Sequence, residues 1–144
     1  MKTVCKYFDE LTLRELYELL RVRAEIFVVE QDCPYQDLDR IDYDSLHLFY
    51  EEDGEVLACL RIFEPEPGTA QIGRVLTKTH GTGLGGRLLK EGVRITKEVF
   101  APRRIVLHAQ CYAVGYYEKA GFSVCSEVFP EDGIPHVCME IKLC

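Results

Sequence analysis

Gly81, Thr82, Gly83, Gly85 and Gly86 crowd one short stretch inside Ile72–Leu89, IGRVLTKTHGTGLGGRLL. Directly after them Leu84, Leu88, Ile95 and Val99 recur at helical spacing, with Leu89, Val93 and Phe100 widening the apolar stripe. An amphipathic helix therefore begins at the glycines. The first backbone N–H groups of a helix have no partner within it, and the peptide dipoles make that end positive. Small residues let an anion approach those groups closely. The chemistry open to this segment is the holding of a phosphate.

Several phosphate ligands compete for such glycines. A P-loop requires a lysine directly after its second glycine, and none stands here. Gly81-x-Gly83-x-x-Gly86 satisfies the letter of the dinucleotide fingerprint. That site wants its first glycine tight against the strand end and an acidic residue closing the next strand. Here Lys78, Thr79 and His80 intervene, and the next strand, Ile105–Gln110, ends in glutamine. A plain tight turn is the structural alternative.

The order Val75, His80, Gly81, Gly83, Gly85 resembles the acetyl-CoA-binding segment of the GNAT superfamily of N-acetyltransferases. That pattern is Arg/Gln-x-x-Gly-x-Gly/Ala after a strand ending in valine; His80 stands where Arg or Gln is usual. The resemblance implies that the adjacent strands splay after Val75, so that Val75 and Thr77 offer backbone groups to the pantetheine arm. It also implies that His80, Gly81, Thr82, Gly83, Leu84, Gly85 and Gly86 hold the pyrophosphate.

A second stretch, Gln110–Phe122 (QCYAVGYYEKAGF), resembles the other hallmark of these enzymes, Asn-x-x-Ala-x-x-x-Tyr-x-x-x-Gly-Phe. Gln110 replaces the usual Asn, while Ala113, Tyr117, Gly121 and Phe122 match. The resemblance implies that Gln110 lies with the cofactor and that Tyr117 lies near the thioester sulfur. There a phenol can protonate the departing thiolate. Core packing is the other reading of Tyr117, and Tyr116 is its neighbour. Arg23–Gln31 and Gly133–Val137 look like segments of the ElaA-like branch, so the resemblance spans nearly the whole chain. It implies one GNAT domain over residues 1–144, with acetyl-CoA as cosubstrate and a primary amine, on a small molecule or a protein, attacking directly.

The amine, with a pKa of about 10.4 if lysine-like, must lose a proton before it attacks. Many GNAT relatives carry a glutamate on the fourth strand, but Thr69–Leu76 contains no carboxylate. Glu30, His108, His136 and an ordered water chain remain as proton acceptors, and Glu30 is taken as the catalytic carboxylate. His136 and Cys138 fall on one strand face, but no other ligands follow at metal-site spacing, so no metal is expected. A nucleophilic Cys111 is not needed for attack on a thioester. A non-catalytic acyl-CoA-binding or sensing protein is the alternative, supported by His80 and the missing strand carboxylate.

The elements that must position these residues follow from local signals. Val4–Phe8 reads as a strand, and Thr12-x-x-Glu15 as a capping box opening a helix that runs to about Val28. Glu30–Ser45 is polar and irregular, either a loop over the acceptor site or a solvated connection. His47–Glu51 and Glu55–Phe63 flank an Asp53-Gly54 hairpin turn, and Thr69–Leu76 follows as the fourth strand. After the glycine-started helix come a strand, Arg104–Gln110, and a short helix, Ala113–Ala120, stopped by Gly121. Phe122–Phe129 and Val137–Leu143 complete the chain as strands separated by Asp132-Gly133-Ile134-Pro135. This order predicts a mixed α/β (α+β) fold. With the resemblance it becomes a GNAT fold, a mixed central sheet of about six to seven strands flanked by helices.

Composition narrows the partners. The 144 residues are 47% hydrophobic and 28% charged, ordinary for one globular domain. A net charge of −7 without any basic block argues against nucleic acid and anionic membranes, and suits a cationic amine. No apolar run reaches membrane-spanning length, and Met1–Glu10 has no signal-peptide core. The seven cysteines contain no Cys-x-x-Cys pair. They read as reduced thiols, mostly small core residues, in a cytoplasmic protein. A homodimer is compatible with all of this.

Overall fold

Asp53 (φ 52°) and Gly54 (φ 79°) both occupy the left-handed region, as a two-residue turn between right-twisted strands requires. They join β2 (Leu46–Glu52) to β3 (Glu55–Glu66), with Glu52 opposite Glu55. β1 (Lys2–Tyr7) pairs antiparallel with the outer edge of β2, and β4 (Thr69–Thr77) antiparallel with β3. The computed structural model describes residues 1–143.

Between β1 and β2 the expected capping box forms: Glu15 N–H donates to Thr12 Oγ1 (3.1 Å) and Thr12 N–H to a Glu15 carboxylate oxygen (2.8 Å). It opens α1 (Leu13–Arg23). The chain stays helical two residues beyond the expected end near Val28, but Ala24–Glu30 winds as a π-helix. Cys33 N–H closes this segment with an i→i+5 bond to the Val28 carbonyl (3.0 Å). Such wide turns are rare and concentrate at functional sites.

α2 (Leu84–Phe100) covers one face of the sheet, packing Leu88, Leu89 and Val93 onto Leu48, Leu60, Ile62, Ile72 and Leu107. Gly92 allows the close approach, because a Cβ there would sit 2.8 Å from Leu60 Cδ2. α1 covers the opposite face, with Leu19 and Val22 on Val4, Phe49, Val56 and Cys59. The period-2 alternation of β2 supplies both layers, Leu46, Leu48 and Tyr50 to one and Phe49 to the other.

β5 (Arg104–Gln110) lies parallel to β4, but only from Thr69↔Arg104 to Gln71↔Val106. The strands therefore separate after Gln71, four residues earlier than expected from the position of Val75. Beyond that point β4 carries an extra residue against β3, where Gly73–Leu76 spans Arg61–Cys59, and Arg74 takes φ 51°. The bulge bends β4 away from β5.

α3 (Val114–Glu118) is shorter than expected and Gly121 ends its turn at φ 100°. The expected strand Phe122–Phe129 survives only as β6 (Ser123–Val124) and the start of β7 (Phe129–Glu131). Ser126 explains the break: its hydroxyl accepts the Cys138 N–H (2.8 Å), which a continued ladder would have bonded to backbone. Asp132 (φ 51°) and Gly133 (φ 76°) turn β7 into β8 (Ile134–Lys142). The sheet runs β1-β2-β3-β4-β5-β8-β6 with β7 on β8, eight strands in all. Among the described residues this is the expected mixed α/β layer architecture, with the expected strand Phe122–Phe129 replaced by two very short ones.

The cysteines depart from expectation. Only Cys33 and Cys59 are buried, Cys5 and Cys125 are exposed, and Cys111 and Cys138 lie between. All six are free thiols; Cys144 lies outside the described residues. Among the described residues no helix is long and apolar enough to cross a membrane.

Candidate active site

The glycines behave as their spacing predicts. Gly81 (φ 78°) and Gly83 (φ 75°) take left-handed conformations, and Gly83 caps α2 without a side chain. The first helical hydrogen bond runs from Arg87 N–H to the Gly83 carbonyl (3.1 Å). Leu84 N–H has only a long contact to Thr82 Oγ1 (3.4 Å), and the N–H groups of Gly85 and Gly86 have no acceptor among the described residues. An anion is the natural partner for that set.

A cleft of about 580 Å³ begins at this loop. Its walls are the end of β4 (Val75, Thr77), the π-helical segment (Phe27, Glu30) and α3 (Tyr116, Tyr117). Thr77, His80, Gly81, Thr82, Gly83, Leu84, Gly85 and Gly86 all line it. A Cβ at residue 85 would lie 2.7 Å from both Thr77 Cγ2 and Tyr116 Oη, so a larger residue there would force those side chains to shift.

A second, smaller hollow of about 160 Å³ lies between the separated strands. It shares Phe27, Gln31, Val75, Tyr112, Ala113 and Tyr117 with the cleft, so the two spaces meet at Tyr117. The Tyr117 ring stands edge-on to Tyr116 (5.1 Å) and Phe122 (6.3 Å). Its hydroxyl has no protein hydrogen bond among the described residues, and burial raises its pKa, so it is a phenol at neutral pH.

The far wall of the hollow is held by charges. Arg23 binds Asp37 (2.9 Å) and Asp42 (2.7 Å), Arg61 binds Asp39 (2.6 Å) and Asp42 (3.1 Å), and Arg74 contacts Asp37 (2.8 Å) and Asp39 (3.2 Å). Three guanidinium groups thus balance three carboxylates, and Arg23 is only 2% exposed. Burial alone would raise the Asp42 pKa, but the hydrogen bond and charge of Arg23, with Arg61, hold it below the ordinary value. The network ties Glu30–Ser45 to β3, β4 and α1. That segment presents Gln31, Cys33 and Tyr35 to the hollow, which decides for a wall over a solvated connection.

Opposite this wall stand His108 on β5, His136 on β8 and Glu131 on β7. One Glu131 oxygen lies 2.9 Å from His108 Nδ1 and the other 3.4 Å from His136 Nε2. The Glu131 hydrogen bond and charge raise the His108 pKa, against a smaller opposing effect of burial. The same contacts lower that of Glu131.

Two sequence expectations land differently from the rest. Gln110 lines the small hollow, its amide donating to Gln31 Oε1 (3.3 Å), and does not line the glycine cleft. Glu30 is exposed on the cleft and does not line the hollow. Glu131 was missed. The signal for it was the Asp132-Gly133 pair: a two-residue hairpin there sets residue 131 opposite Ile134, diagonal to His136. Among the described residues no group of three or more side chains is arranged to hold a metal ion.

Comparison with known proteins covers the whole site. A family model described as the acetyltransferase (GNAT) domain matches residues 17–143. The fold superposes on the crystal structure of an acyl-CoA N-acyltransferase from Pseudomonas aeruginosa with a TM-score of 0.91, at 40% identity, covering 97% of this chain and 99% of that one. Escherichia coli ElaA superposes with a TM-score of 0.90 at 32% identity, covering 96% and 97%. A UPF0039 protein of Schizosaccharomyces pombe is 36% identical over 99% of this chain and 98% of its own length.

Proposed function

The chain belongs to the GNAT acetyltransferase family and is an acyl-CoA-dependent acyltransferase, and from that premise we propose that it moves an acetyl group from acetyl-CoA to a primary amine by direct attack. The observation that carries this reading is the junction of the two hollows at Tyr117. A thioester in the larger cleft and an amine in the smaller hollow would meet there without a covalent enzyme intermediate.

The unpaired N–H groups at the start of α2 hold the cofactor pyrophosphate, with His80 to Gly86 shaping the cradle. The β4 edge at Val75 and Thr77, left without a neighbouring strand, offers backbone groups to the pantetheine amides. The amine nitrogen attacks the thioester carbonyl, the C–N bond forms and the C–S bond breaks. Tyr117 gives its proton to the departing thiolate, and the proton that the nitrogen sheds on becoming an amide restores the phenol. Glu30, on the cleft, is kept as a carboxylate whose removal must be tested. The net charge of −7 supports a cationic acceptor, on a small molecule or a protein. Free thiols support a cytoplasmic location.

Two linked measurements test the reading. Acetyl-CoA that binds only the folded chain must stabilise it, by about 2.7 kcal/mol at a hundredfold excess over its Kd. Thiol release must then depend on an added amine. No stabilisation at saturating acetyl-CoA overturns the cofactor assignment. Stabilisation with only slow, amine-independent release turns the protein into an acyl-CoA sensor, the reading that His80 and the carboxylate-free β4 support.

A further inference from the structure

We infer that His108, oriented by Glu131, is the proton acceptor for the attacking amine, and that the hollow it lines receives the aminoalkyl end of the acceptor. This deepens the proposed transfer and rests on it.

β4 supplies no carboxylate, so the proton must leave by another route. Two histidines line the acceptor hollow, and their hydrogen bonds separate them. His136 is 7% exposed, its Nδ1 bonded to the Ile134 carbonyl (2.7 Å) and its Nε2 turned toward Glu131 at 3.4 Å. A carbonyl only accepts, so His136 Nδ1 carries a proton and that ring is fixed in place. His108 is bonded through Nδ1 alone, to Glu131 Oε1 at 2.9 Å. A carboxylate also only accepts, which puts the His108 proton on Nδ1 and leaves the Nε2 lone pair without a protein partner among the described residues. Phe129 stands edge-on to the His108 ring at 5.4 Å and limits its rotation.

Glu131 thus orients His108 through one oxygen, its other oxygen lying 3.4 Å from His136 Nε2, and it stabilises the imidazolium formed when His108 Nε2 takes the amine proton. The N–H bond of the ammonium breaks, the Nε2–H bond forms, and the freed lone pair attacks the thioester. The positive charge then rests on His108 opposite Glu131. The hollow, at about 160 Å³, is well below the several hundred Å³ of pockets that enclose whole drug-sized ligands. It therefore takes an aliphatic amine terminus, with the remainder of the acceptor outside.

The titratable groups facing the pair are His136 and Cys138 from β8, Asp132 from the turn, Arg74 from β4, Cys33 and Tyr35 from the segment after α1, and Tyr112 and Tyr117 beyond β5. Of all neighbours, only Glu131 acts appreciably on His108, and it favours the charged ring. Activity should accordingly fall as the pH drops through a value above about 6.5, the ordinary histidine pKa.

The test compares wild type, His108→Gln, Glu131→Gln and Glu30→Gln. Thiol release from acetyl-CoA is followed with 1,4-diaminobutane and with a lysyl peptide as amines, from about pH 5.5 to about pH 9.5. His108→Gln should lower kcat about 100-fold near neutrality while acetyl-CoA still raises the unfolding temperature. Its rate should climb with pH as the free amine itself deprotonates, narrowing the gap to wild type. Glu131→Gln should move the acid limb of kcat/KM to lower pH, because the group that raises the His108 pKa has lost its charge; a merely structural role would not move that limb. A His108→Gln enzyme with wild-type kcat and pH profile overturns the inference, as does a loss confined to Glu30→Gln. Should His108→Gln fail to bind acetyl-CoA, an unmoved acid limb in Glu131→Gln overturns it instead. Wild type that is stabilised by acetyl-CoA yet releases no thiol with either amine overturns the parent reading and the base with it.

Discussion

The two halves of the site are built by different means. The glycine cleft takes most of its wall from one continuous stretch, Val75–Gly86, and presents unpaired backbone N–H groups. The smaller hollow is assembled from the segment after α1, β4, β5 and the β7–β8 hairpin, and presents side chains. Backbone recognition needs only small residues at a helix start. Side-chain recognition needs every contributing segment held in register, and here buried ion pairs hold the segment after α1 and β4, while backbone ladders hold β5, β7 and β8.

Removing one member of the buried network should have the largest effect. Arg23→Ala leaves Asp37 and Asp42 without their shared counter-ion at a site only a few per cent exposed. It should cost about 3–5 kcal/mol of stability, read from urea denaturation. If the loss is below about 1 kcal/mol, the contrast between a charge-held wall and a backbone-held cradle is wrong.

Tyr117→Phe keeps the ring and its edge-on packing but removes the proton donor at the junction. Turnover should fall about 100-fold, equivalent to about 2.7 kcal/mol, with acetyl-CoA affinity nearly intact. Unchanged turnover removes Tyr117 from the mechanism.

Gly85→Ala tests the cleft alone. The added Cβ falls 2.7 Å from Thr77 Cγ2 and Tyr116 Oη, so the cradle must open or those side chains must shift. The Kd for acetyl-CoA should rise about tenfold, roughly 1.4 kcal/mol, by calorimetry. Amine KM should not change; a rise in it instead would mean that the two hollows are not separable.

The smallest effect is the acid sensitivity of the wall. Burial would raise the Asp39 pKa, but hydrogen bonding and charge from Arg61, with Arg74, bring it from 3.8 to about 2. A carboxylate with a depressed folded pKa stabilises the fold above its unfolded value and loses that contribution as pH falls toward the folded one. The urea midpoint should therefore drop between pH 3.8 and about 2, and Asp39→Asn should flatten that part of the curve.

The same contrast sets how much could be read in advance. The glycine cradle, the Asp53-Gly54 turn, the Thr12 capping box and the overall order of elements were legible, because each depends on neighbours in sequence. The bulge at Arg74 was not, since its left-handed backbone is stabilised by Asp37 and Asp39 from a distant segment. Nor was the break after Val124, which depends on Ser126 capturing an N–H of β8. His108 and His136 stood among the candidate proton acceptors, beside Glu30 and a water chain, and were not told apart. Only the register of β5, β7 and β8 brings Glu131 between them.

The early end of the β4–β5 ladder also has a mechanical consequence. The pairs from Thr69↔Arg104 to Gln71↔Val106, with the Gly68 carbonyl accepting from Arg103 and Arg104 N–H at their start, are the backbone seam between one leaf, β1–β4, and the other, β5–β8. Beyond it the inner edge of β4 faces a gap, and a ligand whose amides bond that edge becomes the missing rung. Such a ligand would lace the two leaves together beyond the seam, and slowed amide exchange along Ile72–Thr77 would report it.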